Sequence, residues 1–356
     1  MDNEFPAIFY PSKIGVPIAY FNGPWLPMSK VDEFVNYSFN LNYPLQVLEF
    51  PEKRAQIING IEKLLPNVQL NLFSSLETKL NNLFNQFLDL SKNKEALYSQ
   101  WTQNINGKSR NLVKAKKCLD VFLRNYVKEI IMQAPCHSQC HGGEKDWSVE
   151  KSLKTHTPLG SVLSFDLENT FNRISHQYVF DFYYNFFKSK FEDKEVRKNL
   201  AGFLTHVSTV YNKDMQESVL PQGSPISMSL FNRLFYPIDE LFDEKSKKRN
   251  LRYTRWVDDM IISASEGNRN FNKFGGALRI VREDFPISLN KVFWQENVPE
   301  YYLLGHKILG KRIIKINKEE LKNRGEPIPT DLFLNELEEE HNWIEEEDCG
   351  ARLETF

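Results

Sequence analysis

Apolar positions recur at helical spacing from "PEKRAQIINGIEKLL" (51–65) to about residue 100: Ile57, Ile58, Ile61 and Leu64, then Leu76, Leu80, Leu83 and Phe87. That period predicts a helical amino-terminal region with a packing role. Residues 1–50 are rich in Pro, Gly, Asn and aromatics, lack such a period, and predict loops and short strands. Segment 107–134 predicts a strand or turn leading into an amphipathic helix. "SVLSFDLENTF" (161–171) has strand composition up to Asp166 and then changes character. Residues 176–210 predict helix, with "YVFDFYYNFF" as one buried face. "LPQGSPISMSLFNRLFYPIDELFDE" (220–244) opens on turn-forming Pro and Gly and continues as a helix bearing Leu230, Leu234 and Leu241. "LRYTRWVDDMIISAS" (251–265) sets Asp258 and Asp259 between two β-type runs, a hairpin with the pair at its turn. A helix near 268–284, a strand-turn in "ISLNKVFW" and a hairpin in "YYLLGHKILGKRIIKI" complete the pattern. No internal repeat is evident.

With 356 residues, 41% hydrophobic and 26% charged, the chain reads as an ordinary globular protein of two or three domains. Its 27 Phe and 14 Tyr are scattered and are assigned first to packing. A net charge of −2 gives no global sign of nucleic-acid binding, so local patches must carry that argument. Segment 107–134 supplies one, with Lys108, Arg110, Lys114, Lys116, Lys117, Arg124 and Lys128. The amino end has no basic stretch followed by an apolar one, and no apolar run approaches the roughly 20 residues of a membrane span. The expectation is a cytoplasmic protein with no membrane partner. Four cysteines without a secretory signal agree with a reducing compartment. "CHSQCH" (136–141) offers Cys136, His137, Cys140 and His141, but one short loop rarely closes a tetrahedral zinc site and no second ligand pair follows. Between Glu336 and Asp348, eight of thirteen residues are acidic. They form either a solvated helix or tail, or a segment that docks on a basic partner or covers the protein's own basic groove.

Candidate chemistry lies in the aspartates. Neighbouring anions inside apolar runs repel and ask for a compensating cation. Asp166 ends an apolar strand about ninety residues before Asp258, so two carboxylates stand at strand ends beside turns. Mg²⁺ takes oxygen ligands from one or two carboxylates and completes its shell with phosphates and water. Two such ions, about 3.5–4 Å apart, would serve an in-line displacement at phosphorus. Isolated Asp residues at strand ends also cap turns, so spacing alone leaves both readings open.

Six stretches together resemble the motifs of reverse transcriptases, in family order over about 107–310. "SFDLENTFNRI" is similar to the first catalytic motif, an Asp with an aromatic five residues later. "LPQGSPISMSLFN" resembles the loop-helix motif with its Pro-Gln-Gly-Ser-Pro core, and "WVDD" the aromatic-x-Asp-Asp turn. "SLNKVFW" and "YYLLGHKI" resemble the lysine motif and the Leu-Gly primer-grip hairpin. "GKSRNLVKAKKCLDVFLRNYV" resembles the fingers motif that holds the triphosphate. Any one of these would be weak, and six in order are not.

The resemblance implies an α+β, right-hand polymerase fold with fingers and palm, a helical amino-terminal region, and a short or absent thumb. It divides the chain into an amino-terminal extension (1–100), fingers (101–160), a palm with the loop-helix and the Asp-Asp hairpin (161–310), and a short segment with an acidic tail (311–356). The implied catalytic set is Asp166, Asp258, Asp259 and Lys291, with Asp259 the less essential of the pair and Lys291 near the leaving pyrophosphate. The metal set is Asp166, Leu167, Asp258 and Asp259, holding Mg²⁺ or Mn²⁺. Lys108, Arg110, Phe171, Gln222 and Gly223 are the implied nucleotide-binding residues. Lys114, Lys116, Lys117, Trp256 and Gly305 are the implied contacts to nucleic acid.

Two departures from the family stand out. Trp256 replaces the usual Tyr or Phe, so the phenol hydroxyl is missing. Only about 45 residues follow the Leu-Gly hairpin, and retron-type signatures after the Asp pair are not recognisable. Among bacterial reverse transcriptases, the defence-associated, abortive-infection and retron-like group is the nearest in kind. It implies RNA-directed DNA synthesis from dNTPs in anti-phage defence, with an RNA template or noncoding RNA, a DNA product, and a homo-oligomer or partner polymerase subunit. Alternatives are template-independent or protein-primed DNA synthesis, an RNA-dependent RNA polymerase, and a non-catalytic RNA-binding scaffold. Phe171 argues against the RNA polymerase, because its ring would crowd a 2′-hydroxyl.

Overall fold

The computed structural model describes residues 45, 47–66, 75–93, 96–105, 108–145, 147–265, 285, 287, 292–295, 300–303, 306–309 and 311–315, with three short strands nearer the amino end. The helix expected at 268–284, Lys291, Gly305 and the acidic tail lie outside the described residues.

In chain order the strands β1 (Ile8–Tyr10), β2 (Ile18–Tyr20) and β3 (Leu26–Pro27) precede helices α1 (Pro51–Leu64) and α2 (Leu76–Lys92). Strands β4 (Tyr98–Ile105) and β5 (Lys108–Ala115) follow, then α3 (Lys117–Phe122), a π-helical turn Leu123–Val127, and α4 (Lys128–Met132). Next come α5 (Val149–Lys154), β6 (Ser161–Asp166), α6 (Thr170–Arg173), α7 (His176–Phe186) and α8 (Lys194–Ser208). Strands β7 (Val210–Asn212) and β8 (Glu217–Val219) lead to α9 (Ser227–Leu234) and α10 (Tyr236–Lys248). The described chain closes with β9 (Arg252–Trp256), β10 (Asp259–Ala264), β11 (Phe293–Gln295), β12 (Glu300–Leu303), β13 (His306–Leu309) and β14 (Arg312–Lys315). Two compact units emerge, Met1–Pro135 with Phe171–Leu234, and Cys136–Thr170 with Phe235–Phe356.

In the first unit, Pro51 opens α1, where its missing N–H is no loss. Ser75 caps α2 by accepting the Thr78 amide at 3.1 Å. The apolar faces of α2, α3 and α8 meet in an aromatic cluster of Phe84, Phe87, Phe122 and Phe203, with ring centroids 5.2–6.1 Å apart. Helix α7 is buried on nearly every side rather than on one face, leaving only His176, Gln177, Asp181 and Asn185 half-exposed. The helix expected over 176–210 breaks after Phe187–Ser189, and Asp193 caps its second half. Strand β4 starts at Tyr98, so its first residues fall in the stretch read as helical. The 220–244 helix also divides, because Pro237 cannot donate and its ring would clash with the carbonyl four residues back.

The second unit is built on an antiparallel sheet of order β11-β6-β10-β9. Strand β6 is buried along its whole length, and an apolar cluster of Leu153, Leu159, Val162, Ile261, Tyr301 and Ile308 packs beside it. His156 is buried and bridges two neighbouring strands, its Nδ1 2.7 Å from Ser263 Oγ and its Nε2 2.7 Å from Thr254 Oγ1. Strands β12, β13 and β14 pair antiparallel in that order, where the sequence pattern suggested a single hairpin.

Candidate functional site

Strands β6 and β10 set the carboxylates by register. Asp166 ends β6 and stands directly opposite Asp259, the first residue of β10. The Leu167 amide donates to the Asp258 carbonyl at 3.0 Å, which fastens the β9–β10 turn to the end of β6. Carboxylate oxygens of Asp166, Asp258 and Asp259 all lie within 4.8 Å of one another. Asp166 is buried and the other two are half-buried. Like charges directly opposite across a sheet destabilise it, so three anions in this space are held best by a cation among them. A donor set made only of oxygen suits Mg²⁺ or Mn²⁺ rather than a soft metal. Leu167 could contribute only its carbonyl oxygen, which already accepts the Thr170 hydroxyl at 3.1 Å and keeps a second lone pair.

The turn that presents Asp258 is itself unusual. Val257 has φ +58°, a left-handed conformation in which a β-branched residue is a genuine outlier. Gly142 lies against it, and a Cβ there would stand 2.4 Å from the Val257 nitrogen. The amides of His141 and Gly142 donate to the Arg255 carbonyl, and the Arg255 amide donates to Gln139. The "CHSQCH" loop thus backs the Asp258-Asp259 hairpin instead of gathering its four side chains. His141 stacks on Trp147 at 3.4 Å with Ser152 Oγ 2.9 Å from its Nδ1, and burial pushes its imidazole down to about 4. Among the described residues the three aspartates are the one group of His, Cys, Asp and Glu placed to share a metal ion. Trp256, half-buried, ends β9 opposite Asp259.

The remaining expected residues belong to the first unit. Phe171 is half-buried and packs on Phe231 with ring centroids 5.8 Å apart. Gln222 accepts the Val113 amide at 3.1 Å through its main-chain oxygen, tying the loop before α9 to β5. Gly223 has φ +111°, and a Cβ there would stand 2.7 Å from the Val113 carbonyl. Its lack of a side chain therefore lets that strand approach, a closeness the sequence did not disclose. A cleft of about 430 Å³ opens beside these residues, lined by Trp101, Thr102, Asn111, Asn172, Asn212 and Gln222 among others. Lys108 begins β5, while Arg110 and Lys114 are exposed on it, and Lys117 is exposed at the start of α3. Lys116 is half-buried, with its amide donating to the Leu97 carbonyl at 2.9 Å. Asp239, Arg255, Val257 and Gly142 entered no expectation. A buried charge pair leaves no periodicity to read, although Arg255 stands only three residues before Asp258.

Residues 91–307, more than half of the chain, match the family described as reverse transcriptase (RNA-dependent DNA polymerase). The retron Ec86 reverse transcriptase of Escherichia coli is 27% identical over 124 residues, covering 35% of this chain and 34% of that protein. The retron Se72 reverse transcriptase of Salmonella heidelberg (strain 579083-10) is 24% identical over 161 residues, covering 45% and 39%. The chain thus spans well under half the length of either curated relative. A solved apo telomerase from Candida tropicalis, truncated from its C-terminal domain, aligns over 67% of this chain and 60% of that one, at 14% identity and a TM-score of 0.41.

Proposed function

The chain belongs to the reverse transcriptase (RNA-dependent DNA polymerase) family and has its right-hand polymerase fold, and from that premise we propose that it joins dNTPs on an RNA template. The observation that carries the proposal is the convergence of Asp166, Asp258 and Asp259 to within 4.8 Å. Phosphoryl transfer asks mainly for positioning and charge neutralisation, and an all-carboxylate cluster on a rigid sheet supplies the seat for both. Asp166 and Asp258 would hold the metal, Mg²⁺ or Mn²⁺, with Asp259 and the Leu167 carbonyl beside them. Two such ions, when bound, activate an attacking hydroxyl and stabilise the leaving oxygens.

The chain's own side chains would do the rest. Lys108 and Arg110 would neutralise triphosphate oxygens. Gln222 and Gly223 would line the pocket for the templating base and incoming nucleotide. Phe171 would exclude a 2′-hydroxyl, and Lys291 would donate a proton or balance charge at the departing pyrophosphate. Lys114, Lys116 and Lys117, with Trp256 and Gly305, would contact template and primer. Resemblance to defence-associated enzymes, with the likeness to two retron reverse transcriptases, extends the proposal to anti-phage defence with a noncoding RNA.

Labelled-dNTP incorporation on a primed RNA template tests it. The expected result is synthesis that stops on chelation and returns with Mg²⁺ or Mn²⁺. Preferential rNTP use would turn the assignment to an RNA polymerase. Product without template would turn it to template-independent or protein-primed synthesis. RNA retention with no synthesis under any condition would leave a scaffold.

A further inference from the structure

We propose that Arg255, locked by Asp239, is a positioning residue for the metal site, holding the strained turn that aims Asp258. This rests on the reading of the three aspartates as a metal seat and names the device that keeps one of them in place.

The geometry is specific. Arg255 is fully buried, and its guanidinium forks onto Asp239, with Nε to Oδ1 and Nη2 to Oδ2 both 2.7 Å. Tyr253 donates to the same Oδ1 at 2.7 Å. Nη2 also donates to Cys140 Sγ at 3.0 Å, and the Phe235 ring lies 4.7 Å from the guanidinium carbon. What remains, Nη1, donates to the Val257 carbonyl at 2.6 Å.

Val257 is the left-handed residue immediately before Asp258. Backbone held in a sparsely populated conformation persists only where its surroundings over-determine it, and such strain clusters at functional sites. Here the surroundings are identifiable: Arg255 holds the Val257 carbonyl, and Gly142 leaves room at the Val257 nitrogen. Turning the Val257–Asp258 peptide out of this position would carry the Asp258 side chain with it.

A buried ion pair is weak evidence for stability, since well-packed apolar residues often replace one at no loss. A cheaper core was therefore open at these positions. The pair does what an apolar substitute could not, because a planar fork fixed by one carboxylate can present a further N–H in a set direction.

Two variants separate positioning from mere packing. Arg255→Lys keeps the charge beside Asp239, but its three donors cannot reproduce the fork onto both carboxylate oxygens together with the contacts to the thiol and the Val257 carbonyl. The triple variant Arg255→Met, Asp239→Leu, Tyr253→Phe removes the three side chains joined through the Asp239 carboxylate and replaces them with apolar ones. The readouts are Mn²⁺ binding by electron paramagnetic resonance, without nucleic acid or nucleotide, and the melting temperature. Both variants are expected to bind Mn²⁺ at least tenfold more weakly, including in whichever of them melts within a few degrees of the wild type. Wild-type affinity in either folded variant would overturn the proposal. Asp258→Asn is the separate control: if it binds Mn²⁺ as the wild type does, the metal-seat reading itself is lost.

Discussion

Phe171 shows how one ring can be assigned by two separable consequences. It is half-buried against Phe231, so part of its surface is used in packing and part stays exposed. A sugar gate works by a clash built against the wrong substrate. Phe171→Ala should raise ribonucleotide incorporation tenfold or more, about 1.4 kcal/mol of discrimination, with dNTP use surviving. A pure core role would instead cost roughly 3–5 kcal/mol of stability and depress both activities together. Incorporation of dNTP and rNTP by the variant, read beside its melting temperature, decides. Gly223 makes a second prediction at this scale. Its φ of +111° and the Val113 carbonyl 2.7 Å from a would-be Cβ leave no room for Ala. Gly223→Ala should therefore destabilise by about 1–3 kcal/mol, visible as a lowered denaturation midpoint, and no conservative side chain should rescue it.

At the scale of elements, the basic hairpin and helix start make the clearest solution prediction. Replacing Lys114, Lys116 and Lys117 with Ala should weaken RNA binding across sequences. It should also flatten the salt dependence by about 0.7 in log-log slope for each single-strand phosphate that is no longer neutralised. Since Lys116 is half-buried while Lys114 and Lys117 are exposed, the two exposed residues should carry most of the change. An unchanged slope in a salt titration would return all three to the solvated surface. The same elements show what the sequence could and could not disclose. Strand β6 ended at Asp166 as its composition suggested, and the hairpin placed Asp258 in its turn, because both are short apolar runs with sharp polar ends. Strand β4 escaped notice although Asn106-Gly107, between β4 and β5 in sequence, is a strong hairpin signal. Its "YSQWTQNI" is polar and aromatic and lacks clean alternation. The break at Phe235 was legible in Pro237, whereas the full burial of α7 was not. Aromatic residues at nearly every position hide which faces meet neighbours. Least legible was the support beneath the proposed metal seat, where Asp239, Cys140 and Arg255 come from three separate stretches of chain.

For the molecule as a whole, both compact units are discontinuous in sequence, and both hold histidines whose imidazoles desolvation keeps neutral. Burial pushes His206 in the first unit down to about 4, and in the second unit His141 to about 4 and His156 to about 3. An imidazole ordinarily titrates near pH 6.5, so between that value and the depressed ones the unfolded chain binds more protons. Stability is then fully present above about pH 6.5 and is lost progressively on acidification. Asp181 works in the opposite sense, since burial raises its carboxyl to about 7 and its ionisation opposes folding as pH rises toward neutrality. Thermal melts at a series of pH values should show a falling melting temperature from pH 6.5 toward 4. The slope should be shallower in His156→Gln, which removes one of the buried bases. An identical slope would mean that His156 does not titrate on unfolding.

The central claim is that Asp166, Asp258 and Asp259 form the metal seat of a polymerase, and the direct measurement is nucleotide incorporation by purified Asp258→Asn. Loss of one ligand charge should cost several kcal/mol of transition-state stabilisation, at least about a hundredfold in rate. Asn is nearly isosteric, so the melting temperature should hold or rise as repulsion between the carboxylates is relieved. Incorporation abolished in a folded variant, with both Mg²⁺ and Mn²⁺, is the predicted result. Polymerisation at the wild-type rate by that variant would contradict the account.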